Sequence, residues 1–524
     1  MSTKQNGAAC VFCERNGGLK RLCLRVWTVF VESLDGGEMQ FLRPALAVLL
    51  SLLAGAGFIR GNDDAKRLAI THVAVVDTAS GKIKPDQTIV IAAGKIAQIV
   101  PSSEFRPETG TRIIDASGKF LIPGLWDMHV HIAGISADPK WSKDVILPLL
   151  TAMGVTGVRD MGGDLGVLRA WKQEIESGKL LGPHIFAGGP MLVPSGKKTP
   201  EQWPVTTAEE ARVAVRELKQ QGADFIKIIS VPSREIFFAI AEEATKEKIP
   251  FVGHVPLAVT ASEASAAGMR SIEHIVYSNL SLDCSSKEKE LRAAIPEARR
   301  NHDQAATGRI LTEAVNTYSP QKAAALWATF KKNGTWVTPT LVSIEAQTPQ
   351  AESPEEQAID PRLEFVPTSL RKEWDPRDPK NRVPEEDQKW WANQYANDAR
   401  LTAEMHKAGV SLLAGSDSLD RFVFPGFALH QELAILNQQG LTPLEALRAA
   451  TSDAAKFLGH DLEFGVIADG AHADLVLLDE NPLEKISNTT KISAVIRAGV
   501  YLDRPVLDLM LNQAKAAARS ASPR

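Results

Sequence analysis

Cysteine is scarce in this chain, with four residues among 524. Cys10, Cys13 and Cys23 lie near the N-terminus, and Cys284 is the only cysteine of the long remainder. So few cysteines in so long a chain exclude a disulfide scaffold. Cys10 and Cys13 have the spacing of half a zinc ribbon, but no second pair of Cys or His follows nearby. We therefore interpret this spacing as coincidence.

A strong excess of charge is also absent. The chain has 59 Lys plus Arg and 63 Asp plus Glu, a formal net charge of −4. This balance excludes a polycationic nucleic-acid binder. Hydrophobic residues make up 44% of the chain and charged residues 23%, which excludes wholesale disorder and is typical of a globular protein. The length fits one large domain with a smaller one.

No apolar run reaches the roughly 20 residues that a membrane helix needs. From Met39 the sequence has one Arg, an apolar run over 44–54 and then small residues. This layout is typical of a secretory signal peptide at about 39–60, within a leader over 1–60. Because the signal pattern begins at an internal Met, our hypothesis is that residues 1–38 are an over-extended start. We expect an exported protein, periplasmic or secreted, with no stable membrane span after leader removal. Anchoring by an uncleaved leader is the alternative.

Short strand patterns occur at both ends of the remaining chain. LAITHVAVVD, QTIVIAAGKIAQIV and TRIIDASGKFLIPG alternate apolar and polar residues around turn-forming residues, and AHADLVLLDE and ISAVIRAGVYLD do so near the C-terminus. These patterns predict short antiparallel strands. We expect a small β-sandwich built from both termini, over 66–118 and 462–505.

The middle of the chain, 119–461, alternates apolar strand-like runs with amphipathic helical stretches. Repeated βα units of this kind predict a parallel sheet, and their number favours a closed (β/α)8 TIM barrel. A doubly wound open sheet is the structural alternative, but no GxGxxG follows the first strand. The eight strands are predicted near 121–130, 155–160, 184–189, 223–230, 250–254, 270–274, 335–342 and 410–417.

Two long polar stretches, 281–333 and 344–400, interrupt this alternation. The second is rich in Pro, Glu, Asp and Trp. Insertions in the βα loops of a barrel usually shape or cover the active site. Peripheral packing or an oligomer contact is an equally good interpretation of these stretches.

Metal-capable residues stand at the predicted ends of the barrel strands, where barrel enzymes place reactive groups. His129 and His131 are two residues apart on one strand, so both side chains point the same way and are able to bind one cation together. Each such residue alone has a structural explanation, such as a hydrogen-bonded His, a capping Asp or a snorkelling Lys. Their joint occurrence in a fixed order indicates a metal site. The set is His129, His131, Lys227, His254, His274 and Asp417.

These residues lie in motifs that resemble the metal-dependent amidohydrolase superfamily, in its imidazolonepropionase-related and prolidase-like branch. The motifs are LIPGLWDMHVH, FIKI, VGHV, SIEHI and LLAGSDS. The resemblance runs from about Leu68 to Leu502 and is specific for the superfamily rather than for a substrate.

The resemblance implies two divalent metal ions, with zinc as the expected metal. His129 and His131 would bind the more buried ion with Asp417, and His254 and His274 the more exposed one. Lys227 matches the position of an N6-carboxylated lysine whose carbamate bridges both ions. A carbamate anion suits that position, since an ammonium group beside two dications is repelled.

The reaction implied is hydrolysis of an amide bond in a small molecule, such as a dipeptide or an N-acyl amino acid. A metal-bridged hydroxide would attack the carbonyl, and Asp417 would carry its proton to the leaving nitrogen. Lactone or ester hydrolysis, cyclic-amide (imidazolone-type) hydrolysis, deamination and a barrel retained only for binding are the alternatives. We expect a homo-oligomer.

Six further residues have predicted roles outside the metal set. Relatives often carry a Tyr soon after the fifth-strand His. Here Val255 follows His254, so Tyr277 is the candidate substrate-binding residue, with packing in a loop as its alternative. Arg159 and Asp160 are expected to form an ion pair at the rim, and His184 is expected to be structural. Lys197 and Lys198 are either carboxylate-binding or solvated.

Overall fold

The computed structural model describes residues 67–134, 138–300, 304–350 and 352–520. The leader predicted over 1–60, including its signal peptide, lies outside the described residues. Within the described ranges, no helix is both long and apolar enough to cross a bilayer.

The described residues form seventeen strands, numbered here in chain order. They are β1 (Arg67–Val76), β2 (Ile83–Ala92), β3 (Lys95–Pro101), β4 (Thr111–Asp115), β5 (Phe120–Pro123), β6 (Leu125–Val130), β7 (Val155–Asp160), β8 (His184–Ala187), β9 (Met191–Val193), β10 (Gln202–Pro204), β11 (Ile226–Ile228), β12 (Phe251–Gly253), β13 (Ser271–Glu273), β14 (Trp336–Thr338), β15 (Leu475–Leu478), β16 (Ile492–Arg497) and β17 (Val500–Asp503).

The α-helices alternate with these strands. They are α1 (Pro139–Trp141), α2 (Leu147–Ala152), α3 (Leu165–Glu176), α4 (Ala208–Gln220), α5 (Arg234–Lys246), α6 (Ala261–Ala266), α7 (Leu280–Asp283), α8 (Glu288–Arg300), α9 (Gln304–Asn316), α10 (Pro320–Asn333), α11 (Leu341–Glu345), α12 (Pro354–Gln357), α13 (Thr368–Trp374), α14 (Glu385–Ala408), α15 (Phe427–Gln438), α16 (Pro443–Ala449), α17 (Ser452–Leu458) and α18 (Arg504–Ser520). A π-helical turn (Ser142–Ile146) joins α1 to α2, and short 3₁₀ turns occur at Ser102–Glu104, Pro361–Phe365, Pro379–Asn381 and Ile486–Thr490.

Strands from both ends of the chain form one eight-stranded sheet. Its order is β17-β16-β15-β5-β1-β2-β3, with β4 also paired to β1. β5 joins the two ends, because it pairs with β15 in antiparallel register from Leu475 opposite Pro123 to Leu478 opposite Phe120. Alternating side chains of these strands, such as Ile70 and Leu475, are buried in a shared apolar cluster.

The expectation that all strands of this sheet are antiparallel is wrong for two of them. β4 and β5 run parallel to β1. After β3 at the sheet edge, the chain crosses to the other side of β1, and a crossover of this kind returns a strand in parallel orientation.

The middle of the chain forms parallel strands with helices between them. The strands lie in two sheets, with the orders β6-β7-β8 and β10-β9-β11-β12-β13-β14. Six predicted strands each contain an observed one, from β7 at 155–160 to β14 at 336–338. β9 and β10 were not predicted, since they are three-residue strands within the connection between β8 and α4.

The predicted first barrel strand at 121–130 is two strands in the structure. Residues 120–123 form β5 and pair with β1 and β15 of the terminal sheet, so the parallel strand β6 begins at Leu125. Gly124 separates the two, and a Cβ there would lie 2.0 Å from Thr156 Oγ1. The chain passes from one sheet to the next at this close approach. The sequence does not reveal the junction, because the apolar run continues across it.

The predicted eighth strand at 410–417 is not a regular strand. It is nevertheless hydrogen-bonded on both sides: Val337 N donates to Ser411 O at 3.0 Å, and Met128 N donates to Ala414 O at 2.9 Å. A Cβ on Gly415 would lie 2.7 Å from His129 Cβ, so only glycine permits this approach to β6. The segment therefore packs closely enough to bring Asp417 beside the end of β6.

The helices between parallel strands bury one apolar face each. α4 begins at a capping box of Thr207 and Glu210, and it buries Ala211, Val215 and Leu218 at helical spacing. Residues 281–333 are mainly α8, α9 and α10, and residues 344–400 include α12, α13 and most of α14. Both predicted insertions are thus largely helical.

Candidate active site

Six side chains meet at one edge of the parallel strands. His129 is the penultimate residue of β6 and His131 directly follows that strand. Lys227 lies in β11, and His254 and His274 directly follow β12 and β13. His129 Nε2 and His131 Nε2 each lie 3.4 Å from Asp417 Oδ1, and His274 Nε2 lies 3.7 Å from Asp417 Oδ2. Because parallel strands share one carboxyl edge, residues far apart in sequence converge there.

His254 and Lys227 complete this cluster. The ring centroids of His254 and His274 are 5.0 Å apart, and those of His129 and His274 are 4.6 Å apart. Lys227 is buried, and its charge acts on both His129 and His254. Burial lowers the pKa of Lys227 to about 8. The structure thus brings together all six residues that the sequence indicated.

Three of the imidazoles are fixed by hydrogen bonds at Nδ1. His129 Nδ1 lies 3.0 Å from Glu273 Oε2, and His131 Nδ1 lies 3.2 Å from Gly162 O. His274 Nδ1 lies 2.5 Å from Thr340 Oγ1, whose own hydroxyl donates to Pro339 O. Since carbonyl and carboxylate oxygens only accept, each Nδ1 carries the proton and each Nε2 presents a lone pair to the cluster.

The electrostatics of the cluster favour neutral imidazoles at His129, His254 and His274 around one carboxylate. Burial and the Lys227 charge hold the pKa values of His129 and His254 well below their usual range, and burial lowers that of His274 to about 4. Burial opposes ionisation of Asp417, but the surrounding histidines hold its pKa well below the usual range. For His131, contact with Asp417 outweighs burial and raises the pKa.

The backbone is strained where the ligand-type residues leave the strands. His274 has φ 59° and Asp417 has φ 57°, both in the left-handed region that non-glycine residues rarely adopt. Thr340, the partner of His274, has φ 48°. Such conformations concentrate at functional sites, where the surrounding structure compensates their cost of about 1–3 kcal/mol each.

A fully buried ion pair supports the cluster from below. Arg159 Nη2 donates to both carboxylate oxygens of Glu273 at 2.9 Å, and the same carboxylate accepts a hydrogen bond from His129 Nδ1. Arg159 Nε also donates to Met128 O at 2.6 Å. The expected Arg159–Asp160 pair is wrong, because Asp160 turns to the other side and accepts from Gly162 N at 3.1 Å.

The cluster fits a divalent cation. His129, His131 and Asp417 offer one ligand atom each, and these atoms all lie within 4.8 Å of one another. Among the described residues, neither His129 Nε2 nor Lys227 Nζ has a hydrogen-bond partner, although both are buried. Since buried polar atoms are normally paired, two such nitrogens beside a carboxylate suit the coordination of a metal ion.

Of the remaining predicted residues, some lie beside the cluster and others lie away from it. Tyr277 lies beside the cluster, stacked on His254 at a centroid distance of 5.8 Å and edge-on to His274 at 5.2 Å. His184 lies at the opposite ends of the strands and bonds to Asp474 Oδ2 at 2.8 Å, a structural role. Lys198 lies over the ring of Trp203 at 2.9 Å. Lys197 is exposed.

Glu273 is the site residue that sequence reasoning missed. It directly precedes His274 in SIEHI, but its partners Arg159 and His129 are remote in sequence. Glu273 is the last residue of the short buried strand β13, and a buried carboxylate requires partners, but the sequence does not show which residues those are.

Comparison with known proteins decides the family. The sequence model of the amidohydrolase family matches residues 120–502, which make up most of the chain. The chain belongs to this family. It is therefore a hydrolase that acts on carbon–nitrogen bonds, as its sequence motifs predicted.

Relatives of this amidohydrolase share nearly its full length. Ochratoxinase from Aspergillus niger is 25% identical over 493 residues, covering 82% of this chain and 84% of the relative. The solved structure of a Xaa-Pro dipeptidase with bound methionine has a TM-score of 0.61 at 21% identity and covers 83% of this chain and 100% of its own. A bottromycin amidohydrolase structure has a TM-score of 0.65 at 23% identity, with coverages of 89% and 93%. These likenesses show the α/β fold with its terminal sheet.

Proposed function

We propose that this amidohydrolase is a binuclear metal-dependent enzyme that cleaves amide bonds of small molecules such as dipeptides or N-acyl amino acids. The observation that carries the proposal is the buried Lys227 Nζ, which stands among four histidines and Asp417 and has no hydrogen-bond partner in the described part of the chain. One cation needs only the group of His129, His131 and Asp417. Lys227, His254 and His274 supply the ligands for a second.

The metal-holding roles follow from the positions of these side chains. His129, His131 and Asp417 would hold the first ion, and His254 with His274 the second. Lys227 would bridge the two as a carbamate, formed when its neutral amine adds to carbon dioxide and loses a proton. The lowering of the Lys227 pKa to about 8 favours this adduct, because only the unprotonated amine reacts. Bound divalent ions supply a polarised carbonyl and an acidified water.

Two side chains of the site would handle protons and orientation. Asp417 is ionised because its pKa is held low, so its carboxylate accepts a proton from the attacking water and later releases it to the leaving nitrogen. Burial raises the pKa of the Tyr277 hydroxyl above its usual range, so the hydroxyl stays protonated and donates a hydrogen bond to the substrate carbonyl.

We also propose that the parallel strands close into a barrel. The support is the segment 410–417, which is bonded to β14 at Val337 and to β6 at Met128, and the bond from Asp224 N to Ala187 O at 2.8 Å, which links the approach of β11 to β8. The predicted leader would export the enzyme.

The substrate class is tested by assaying the zinc-loaded full-length enzyme on a panel of dipeptides, N-acyl amino acids, lactones and cyclic ureides. We expect turnover of dipeptides or acyl amino acids, with kcat/KM at least about 10⁴ M⁻¹s⁻¹ for the preferred class. Turnover of lactones with intact dipeptides and acyl amino acids contradicts the amide assignment. Turnover of the ureides alone favours cyclic-amide hydrolysis.

A further inference from the structure

Tyr277 and Trp391 form an aromatic rim beside the proposed metal cluster. Their ring centroids are 6.1 Å apart at an interplanar angle of 65°. Tyr277 is 40% exposed although it lies on His254 and His274, so part of its ring stays accessible beside the cluster. Trp391 is half-buried and comes from α14, more than a hundred residues later in sequence. Exposed large rings at a site mouth usually mark a binding surface.

The insertion that carries Trp391 is attached to the loop of Tyr277. Asp398 Oδ2 accepts a hydrogen bond from Val276 N at 3.2 Å, and Asn397 Nδ2 donates to Ser281 Oγ at 2.9 Å. Both partners flank Tyr277 in sequence. Trp391 is braced from behind by Trp390, whose ring lies 4.7 Å away and whose Nε1 donates to Gly308 O at 3.2 Å.

The same insertion is attached to the loop that follows Asp417. Arg421 Nη2 donates to Trp374 O at 2.8 Å, and Arg421 Nη1 contacts Asn381 O. The stretch 344–400 therefore spans the two loops that carry His274 and Asp417. Of the two interpretations left by the sequence, this placement favours a segment that shapes the active site.

We propose that the aromatic rim is a specificity surface and that the preferred substrate carries an aromatic or large apolar side chain next to the scissile amide. This inference rests on the proposed amide hydrolysis and adds the chemical class of the substrate. An aromatic side chain bound beside the cluster would pack on the exposed part of the Tyr277 ring and on Trp391, whereas a methyl group offers far less area to the two rings. Ring contacts of this kind, with the apolar area they bury, correspond to a preference of about 10-fold or more.

The test compares N-acetyl-phenylalanine with N-acetyl-alanine on the zinc-loaded full-length enzyme. We expect a kcat/KM ratio of at least about 10 in favour of the aromatic compound, arising mainly in KM. Trp391→Ala should lower the ratio several-fold while metal content stays unchanged, because only the Tyr277 ring then remains, and Trp391→Phe should restore most of the loss. Tyr277→Phe should keep the ratio but lower kcat. This result would distinguish the role of the ring in specificity from that of the hydroxyl at the substrate carbonyl.

Trp374→Phe is the matched control. Trp374 lies in the same insertion, but it packs on Phe422 and Phe424 at 5.8 and 6.0 Å. The kcat/KM ratio of Trp374→Phe should therefore equal that of the wild type. Hydrolysis of both compounds with no preference, or a kcat/KM ratio unchanged in Trp391→Ala, contradicts the proposed specificity of the aromatic rim. Either result still supports the proposed amide hydrolysis. If neither compound is hydrolysed, the amide reaction fails. Both are then titrated as ligands, and equal affinities overturn the rim separately.

Discussion

Glu273 connects the proposed metal cluster to the interior of the protein at the scale of single residues. Its carboxylate accepts from His129 Nδ1 at 3.0 Å and from Arg159 Nη2 at 2.9 Å, with all three side chains buried. A carboxylate in this position orients the imidazole and raises its basicity as a ligand. Glu273 is thus a positioning residue that acts through His129.

Glu273→Gln should weaken metal binding by about 10- to 100-fold. Glutamine keeps an acceptor for the Nδ1 proton but removes the charge that Arg159 neutralises. The measurement is a chelator competition at pH 7, with circular dichroism to verify the fold. Glu242→Gln is the control, because Glu242 pairs with Arg212 at an exposed position. Equal metal affinities for both variants and the wild type would remove the positioning role.

Asp417→Asn should lose nearly all turnover while most of the metal remains bound. The amide keeps one oxygen ligand but has no carboxylate to accept a proton, and general acid–base transfer is worth about 10² to 10⁴ in rate. Steady-state kinetics and metal analysis on one preparation measure both effects. Wild-type turnover in this variant is incompatible with the proposed proton transfer.

The residues of the site could be predicted from sequence because their chemistry is local to strand ends. His129 and His131 belong to one short motif, and Asp417 follows another. Glu273 and Trp391 could not be predicted, because their roles depend on contacts across more than a hundred residues. The sequence predicts Asp160 as the partner of Arg159, whereas in the structure the buried Arg159 guanidinium pairs with Glu273.

The insertion 344–400 is the element that most affects the mouth of the site. Arg421 ties it to the loop after Asp417 through two backbone carbonyls. Arg421→Ala should therefore release Trp374 and Asn381 and raise cleavage in the stretch 375–384 by about 10-fold, since local opening controls proteolysis. Limited proteolysis with mass spectrometry measures this.

Arg377→Ala is the matched control for that experiment. Arg377 lies within the same stretch but pairs with the nearby Asp375, at 2.7 Å. If Arg377→Ala and Arg421→Ala are cleaved equally fast, the anchoring by Arg421 is wrong.

At the same scale, the strands were largely predictable and their junctions were not. β7 matches its predicted bounds, 155–160, because an apolar run between turn residues marks both ends. The run across 120–130 is continuous in hydrophobicity, yet Gly124 divides it between two sheets. The segment 410–417 has strand-like composition, but its pairing consists of isolated contacts, such as the bridge between Val337 and Leu412.

In the whole molecule, Asp474 holds the terminal sheet against the parallel strands. Its Oδ1 accepts from Arg497 Nη1 at 2.9 Å and from Ala498 N at 2.7 Å, and its Oδ2 pairs with His184 at the start of β8. Burial opposes ionisation, but Arg497 and His184 hold the pKa of Asp474 well below its usual range. The carboxylate thus favours the folded state whenever it is ionised.

Asp474→Asn should lower the free energy of unfolding by about 3 kcal/mol at pH 7, because it leaves Arg497 buried and unpaired. The folded-state pKa is lowered, so this stability is fully present above the unfolded value of about 3.9 and is lost as pH falls towards the folded value. Urea titrations should show the gap between wild type and variant narrowing below about pH 4. Asp479→Asn, at an exposed pair with Lys119, should show no such gap. A gap independent of pH contradicts the assignment.

The number of metal ions per chain tests the central claim most directly. Elemental analysis of the purified full-length enzyme, with mass spectrometry of the Lys227 peptide under conditions that preserve carbamates, gives both quantities. We expect about two divalent ions per chain and a carboxylated Lys227, which follows from a buried amine among five other ligands. One ion per chain with unmodified Lys227 contradicts the binuclear account.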